Sequence, residues 1–378
     1  MSAVPRIGRP PFARVALLLQ GGGALGAYQA GVYQALHEAD IEPDWVAGIS
    51  IGAINATLIA GNPPEARVDA LRAFWQEVTS AVFDFGEAGP RDGILGELLS
   101  QSAALGTLFQ GAPNFFTPRL IPPFLQPPGS AGAISYYDTA PLRATLEKFA
   151  DFARLNDGAM RVSLGAVDIR SGNFVYFDSL ERRLGAAHTI ASGSLPPSFP
   201  PTEIDGMFYW DGGVVSNTPL QYVLDSEPHA DTLAFQVDLW NARGEVPRDL
   251  AGVENRVKEI RYSSRTRLAT DLAGREQALR RALLRIAAQA PELVRGDPEL
   301  RALCEEHAAE GVLSIVHLIY RAARGEGFTK DFDFSRRRME AHWSAGYRDM
   351  ARTLDDPRAL ARPTSPGGIA TFDIGTAR

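Results

Sequence analysis

The stretch VALLLQGGGALGAYQAGVYQAL, residues 15–36, decides the fold. Its apolar start predicts a buried strand, three consecutive glycines follow, and the remainder has the spacing of a helix. Gly21, Gly23 and Gly26 match the pattern G-x-G-x-x-G, which is typical of a dinucleotide-binding turn when it joins a strand to a helix. The next thirty residues argue against a nucleotide site.

A second glycine-flanked turn follows. Asp44 lies near the distance at which a dinucleotide fold places an acidic residue, but it begins the second apolar strand instead of ending it. That strand runs into GISIG, residues 48–52, and a helical pattern follows. A serine on such a strand-to-helix turn holds its hydroxyl clear of the sheet, at the positive end of a helix. The pattern predicts Ser50 as a nucleophile, with Gly48 and Gly52 allowing the tight turn.

The first glycine loop then has a second interpretation. Gly21, Gly22 and Gly23 precede a helix and present bare backbone N–H groups. The same donors that hold a phosphate can hold the oxyanion of an acyl-transfer reaction. G-x-S-x-G also occurs as a simple packing turn, so the interpretation depends on finding a base elsewhere in the chain.

A base is expected at Asp211 and not at a histidine. None of the histidines has the local signature of a catalytic triad; they are His37, His188, His229, His307, His317 and His342. Asp211 follows a strand-like run and opens the segment DGGVVSNTP, in which Gly212 and Gly213 allow a turn. A proline-rich loop, ASGSLPPSFPP at residues 191–201, precedes it.

The blocks GGGALG, GISIG and DGGVVSNTP, in this order, resemble the patatin-like phospholipases over roughly residues 14–240. The resemblance implies a three-layer α/β/α fold with a largely parallel sheet, a helical C-terminal extension, and a Ser–Asp dyad that cleaves acyl esters of lipids without a histidine. It makes Ser50 the nucleophile and Asp211 the base, assigns residues 21–23 to the oxyanion hole, and gives Asn217 a supporting role.

One position departs from the family pattern. Many members carry Arg or Lys where this chain has Leu25, and a cation there would help to bind an anionic head group or the oxyanion. The head-group preference therefore stays open, whereas the backbone donors are unaffected. The resemblance implies no metal and no nucleotide or other cofactor.

Composition predicts the organisation of the chain. The expected segments are a flexible N-terminal segment (1–13), a catalytic domain (14–245), a helical C-terminal extension packed on the same core (246–355) and a mobile tail (356–378). Residues 80–137 are rich in glycine, proline and aromatics and are expected to form a lid or acyl-binding insertion, or simply to pack onto the core. The side chains proposed to line an acyl channel are Phe83, Phe85, Phe109, Phe115, Phe116, Ile121 and Phe124.

The bulk properties of the 378 residues limit the partners. A net charge of -7 gives no reason to expect nucleic acid, and the one cysteine, Cys304, excludes an internal disulfide framework. No apolar run reaches the length of a membrane span. These features predict a cytoplasmic protein, with peripheral membrane contact and oligomeric state left open.

The favoured function is a serine acyl hydrolase of phospholipase A or lysophospholipase type, acting on lipid or another acyl ester. Within the hydrolases the alternative is an esterase or depolymerase on esters such as 3-hydroxyalkanoate oligomers, or an acyltransferase. An inactive lipid-binding scaffold is the non-enzyme alternative, and a nucleotide-binding module is the weakest. The arginine-rich helices at 255–285 either contact anionic head groups or are solvated faces.

Overall fold

The computed structural model describes residues 4–79, 102, 104, 106–226, 230–264, 266–306, 311–322, 326–327, 329–364 and 368–373. Its strands are β1 (Arg14–Leu19), β2 (Trp45–Ile49), β3 (Thr117–Pro118), β4 (Tyr137–Asp138), β5 (Arg161–Asp168), β6 (Phe174–Asp178), β7 (Thr202–Ile204), β8 (Met207–Asp211), β9 (Thr232–Asp238), β10 (Leu313–Ile319) and β11 (Ile369–Phe372). Its α-helices are α1 (Ala27–Glu38), α2 (Ile51–Ala60), α3 (Arg67–Val78), α4 (Ala140–Phe149), α5 (Phe152–Leu155), α6 (Ala186–Ser192), α7 (Leu220–Leu224), α8 (Leu250–Tyr262), α9 (Thr266–Gln289), α10 (Pro291–Gly296), α11 (Pro298–Glu306) and α12 (Arg336–Leu354).

The central sheet is mostly parallel and has the order β11-β10-β9-β1-β2-β5-β8-β7, with β6 paired to β5. β1 lies between β9 and β2 and runs parallel to both. Leu19, at the end of β1, is level with Gly48 of β2 and Val237 of β9. The loops that follow these strands therefore emerge together at one edge of the sheet, where ligands bind in open α/β folds.

Alternation along β1 divides the core into two layers. Leu17 and Leu19 belong to the large core that contains α1 and α12, whereas Ala16 and Leu18 face a smaller cluster with Leu220 of α7. Both faces of the strand are apolar because helices cover both faces of the sheet. The expected three-layer α/β/α fold with a helical C-terminal region is confirmed.

Helix α12 packs against α1 at close range. A Cβ at Gly31 of α1 would lie 2.0 Å from the carbonyl oxygen of Trp343, and a Cβ at Gly346 of α12 would lie 1.9 Å from that of Tyr28. Glycine at both positions allows the two backbones to approach closely. This C-terminal helix therefore packs directly on the helix that follows the first glycine loop.

Both ends of the chain contact the core where the structure describes them. Val4 and Phe12 are buried in the large core, and the N–H groups of Ile7 and Gly8 both donate to the carbonyl of Ala39. At the other end, β11 pairs in parallel with β10 and forms the edge of the central sheet. Apolar side chains in both segments, such as Phe12 and Phe372, pack against the large core.

Candidate active site

Ser50 lies at the turn between β2 and α2 in a strained conformation. Its φ of 57° and ψ of −123° place a non-glycine residue at positive φ, which is uncommon and needs support from surrounding structure. The N–H of Ser50 donates to Oγ of Ser192 at 3.0 Å, and Ser192 Oγ donates to the carbonyl of Gly165 at 2.6 Å. Ser192, at the end of α6, thus ties the turn to β5.

The two glycines of GISIG permit close contact. A Cβ at Gly48 would lie 2.3 Å from the carbonyl oxygen of Gly52, and a Cβ at Gly52 would lie 2.2 Å from that of Leu19. Neither glycine is among the positive-φ residues of the described chain, so the backbone strain lies on Ser50 itself. The glycines let the turn fold back on itself and pack against β1.

Asp211 ends β8, is 1% exposed, and lies beside Ser50. Its Oδ1 accepts a hydrogen bond of 2.7 Å from the N–H of Gly213, while its Oδ2 makes no hydrogen bond of standard geometry. Burial raises the pKa of Asp211 from 3.8 to about 7, and the neighbouring Ser50 hydroxyl and the Gly213 N–H lower it in part. A carboxyl group with this pKa can accept and return a proton at neutral pH.

The glycine loop is held by its carbonyl groups. The carbonyl oxygen of Gly21 accepts hydrogen bonds from Asn217 Nδ2 at 2.9 Å and from Trp240 Nε1 at 2.8 Å. In a trans peptide the N–H of the next residue points the opposite way, so these bonds fix the direction of the Gly22 N–H. Within the described residues, the N–H groups of Gly22 and Gly23 have no protein acceptor.

Gln20 connects this loop to the rest of the site. Its Oε1 accepts from the N–H groups of Leu239 and Trp240, at 2.7 and 3.1 Å, and its Nε2 donates to the carbonyl of Tyr262 at 3.0 Å. Asn217 Nδ2 donates to the same Tyr262 carbonyl at 2.9 Å. The carbonyl of Tyr262, the last residue of α8, therefore accepts hydrogen bonds from both Gln20 and Asn217.

A cleft of about 430 Å³ opens above these groups. It contains Ser50, Asp211, Asn217 and residues 21–23, so the structure brings together the residues that the sequence predicted for the site. Its apolar walls include Ile51, Ile54, Phe115, Phe116, Leu195, Phe199, Trp240, Phe332 and Phe334. A mostly apolar cleft with few polar groups is typical of a site for an apolar ligand.

The aromatic residues of the 80–137 segment have different positions. Phe115 and Phe116 line the cleft and pack against Phe199 and Phe334. Phe109, Ile121 and Phe124 are exposed, and Phe83 and Phe85 lie outside the described residues.

No histidine is among the described residues that line the cleft. His188 accepts a hydrogen bond from the N–H of Gly185 and so caps the start of α6. Its ring makes a T-shaped contact with Phe177. His317 pairs with Asp238 across β9 and β10. Of the titratable side chains near Ser50, only Asp211 is both buried and beside it in the part of the chain described.

Leu25 is fully buried in the large core, so this position supplies packing and not a charge to the cleft. The cations at the cleft come instead from Lys258 and Arg261 of α8.

The described residues contain no cluster of His, Cys, Asp and Glu that could hold a metal ion. None of the described helices combines the length and apolar character needed to cross a membrane.

Sequence reasoning missed Ser192, Gln20, Trp240 and Tyr262. Gln20 could have been recognised in the sequence, because it is a polar residue at the end of an otherwise apolar strand. The other three act through contacts with residues far away in the chain and have no local signature.

Comparison with known proteins adds four similarities. A curated protein of Caenorhabditis elegans, "Patatin-like phospholipase domain-containing protein ZK370.4", is 31% identical over 211 residues, which are 54% of this chain and 12% of that protein. The crystal structure of VipD from Legionella pneumophila aligns over 93% of this chain and 67% of that one, at 13% identity and a TM-score of 0.38. A family model described as "Patatin phospholipase" matches residues 260–366. A second, described as "Patatin-like phospholipase", matches residues 17–224, more than half of the sequence, and the chain therefore belongs to the patatin-like phospholipase family.

Proposed function

We propose that the protein is a serine lipid acyl hydrolase of phospholipase A or lysophospholipase type, with Ser50 as the nucleophile and Asp211 as the base. The observation that carries the proposal is the buried carboxyl of Asp211, with one oxygen open, beside a strained serine in an apolar cleft. Membership of the family supports a lipid ester as the substrate.

The first half of the reaction forms an acyl-enzyme. Asp211 Oδ2 accepts the hydroxyl proton as Ser50 Oγ attacks the ester carbonyl, and the N–H groups of Gly22 and Gly23 stabilise the oxyanion. The tetrahedral intermediate collapses, the bond to the alcohol oxygen breaks, and protonated Asp211 returns the proton to the leaving alcohol.

The second half releases the acid. Asp211, ionised again, takes a proton from a water molecule that attacks the acyl carbonyl, and returns it to Ser50 Oγ as the ester bond to the enzyme breaks. The apolar walls of the cleft suit an acyl chain, and the same low dielectric raises the pKa of Asp211 and so makes it a stronger base.

A fluorophosphonate probe tests the assignment because it labels only an activated serine. We expect Ser50→Ala to lose both labelling and hydrolysis of p-nitrophenyl butyrate, phosphatidylcholine and lysophosphatidylcholine. Asp211→Asn should slow both reactions by several orders of magnitude. Products formed with an added alcohol would reveal acyl transfer, and 3-hydroxybutyrate oligomers test the alternative substrate.

His188→Ala and His317→Ala are the matched controls, since neither side chain lines the cleft. Both variants should keep most of the turnover. A histidine variant as inactive as Ser50→Ala, or full labelling of Ser50→Ala itself, would remove the dyad proposal.

A further inference from the structure

Helix α8 exposes an apolar stripe next to the cleft. Leu250, Val253, Val257 and Ile260 follow the spacing i, i+3, i+7 and i+10, which places them on one face of the helix. Their exposed fractions are 74%, 44%, 57% and 60%. We call these four residues the α8 stripe; Glu254 and Arg261, also exposed, carry one charge of each sign beside it.

The opposite side of α8 is polar, and it faces the protein. Lys258 pairs with Asp331 at 2.8 Å, and Glu259 pairs with Lys330 at 2.7 Å and with Arg256 at 3.1 Å. Surface helices of globular proteins normally bury the apolar face and expose the charged one. In α8 this arrangement is reversed, so the stripe is available to an apolar partner outside the protein.

A second exposed apolar segment follows β3, which pairs with β4, and β4 contributes a residue to the same cleft. Leu120, Ile121, Phe124 and Leu125 are 57% to 101% exposed, between strands β3 and β4. Tyr137 of β4 lines the cleft, and its N–H donates to the carbonyl of Ser198, another cleft residue. On the other side, Lys258 and Arg261 connect α8 to the cleft. Each apolar surface is therefore joined through neighbouring residues to the lining of the same cleft.

We propose that the α8 stripe and the 120–125 segment dock the protein on the surface of a lipid bilayer, with the cleft facing the lipid. This inference rests on the proposed function. A protein partner or a second copy that covered both surfaces would also cover the cleft residues to which both are joined. A bilayer that covers them supplies the substrate to that cleft, and α8 would lie in the interface as an amphipathic helix does.

Vesicle flotation tests the docking without catalysis. The probe is the Ser50→Ala full-length protein with phosphatidylcholine vesicles, with and without phosphatidylglycerol. The double variant Val257→Gln/Ile260→Gln removes two apolar side chains, adds no charge and introduces a residue with higher helix propensity than either. We expect it to weaken binding to both vesicle types by about tenfold or more. In the active protein it should keep the turnover of soluble p-nitrophenyl butyrate and lose that of vesicle phospholipid.

Leu279→Gln is the matched control. Leu279 lies on α9 and is 71% exposed. Two residues before it, Gln277 donates a hydrogen bond to the carbonyl of Gly311, near the start of β10. This end of β10 is at the edge of the sheet opposite the cleft. The Leu279→Gln variant should bind vesicles like the parent protein. Three outcomes would overturn the docking proposal. The first is equal vesicle binding by the double variant and the parent protein. The others are binding that requires phosphatidylglycerol and does not depend on the stripe, and a dimer of the protein that the double variant dissociates. If the protein with Ser50 intact hydrolyses no ester but its vesicle binding still depends on the stripe, the result would count against the proposed function alone.

Discussion

Asn217 donates a hydrogen bond of 2.9 Å to the carbonyl oxygen of Gly21, the peptide group whose other end is the N–H of Gly22. Asn217→Ala removes this bond and the one to Tyr262. We expect kcat to fall by about 10- to 100-fold with little change in KM, because the lost interaction positions an oxyanion donor. Gln221→Ala, an exposed neighbour bonded only to Asp225 among described groups, should behave like the wild type. A raised KM with normal kcat would show that Asn217 binds substrate instead.

Ser192 and Ser194 form a matched pair for testing the support of the Ser50 turn. Both are buried, but only the Ser192 hydroxyl bonds to Ser50; the Ser194 hydroxyl bonds to Ile190 and Thr202. The backbone carbonyl of Ser194, which accepts from the N–H of Asp211, is unchanged by substitution to alanine. Ser192→Ala leaves the Ser50 N–H without its acceptor, and removing the partner of a buried group costs about 1–3 kcal/mol. We expect Ser192→Ala to lower kcat and probe labelling, and Ser194→Ala to lower only the melting temperature. Equal activity of the two variants would contradict this role for Ser192.

Gly22→Ala should impair the reaction more than substrate binding. A Cβ at Gly22 would lie 2.7 Å from Cδ1 and 2.9 Å from Cβ of Leu239, so the loop must shift and carry its N–H groups with it. We expect kcat to fall by about 10²- to 10³-fold, the usual cost of losing one oxyanion donor. Steady-state kinetics on p-nitrophenyl butyrate measures this. Gly185→Ala, where a Cβ has open space, is the control, and a fully active Gly22→Ala would place the oxyanion donors elsewhere.

The pH profile should report the ionisation of Asp211. Because the base must be deprotonated, kcat/KM should rise about tenfold per pH unit below the pKa of about 7 and level off above it. The measurement is kcat/KM for p-nitrophenyl butyrate across the neutral range, with the product detected at one fixed pH after quenching. A plateau that continues well into the acidic range would mean that another group, or an Asp211 with an ordinary pKa, is the base.

Asp211 should also make the protein less stable at neutral and alkaline pH. Its pKa is raised in the folded state to about 7 from 3.8, so the folded protein binds the proton more tightly than the unfolded chain does. The stabilisation from this proton is complete below about pH 4 and is lost as the pH rises through 7. Asp211→Asn should therefore be more stable than the wild type near pH 8, by roughly 4 kcal/mol at most, and should show no such gain near pH 4. Denaturant unfolding of both proteins at the two pH values measures the difference.

The parts of the site that depend on neighbouring residues could be predicted from the sequence. The glycine spacing around Ser50 and the apolar runs of β1 and β2 define a strand, a turn and a helix within a few residues. Asp211 lies far away in the chain, and only the order of three blocks connected it to Ser50. The pKa of Asp211 could not be predicted, because it depends on how completely the fold excludes water from the carboxyl.

The contacts that support the site could not be predicted for the same reason. The Tyr262 carbonyl is a backbone group that any residue could supply, and its value lies in its position beside Gln20 and Asn217. The strand β11 has only four residues, too few for their pattern to identify a strand, yet it completes one edge of the sheet. A stripe of apolar residues on α8 predicts a buried face, which the structure instead leaves exposed.

The close approach of Gly31 and Gly346 bears on how the protein can be recombined. The two glycines belong to separately matched stretches, 17–224 and 260–366, and each one's missing Cβ leaves room for the other helix's backbone. A chimera that joins the first stretch of one relative to the second stretch of another would need glycine on both sides of this contact. Glycine at both positions is therefore a requirement to verify before such a chimera is made, and residues 17–224 and 260–366 are best exchanged together.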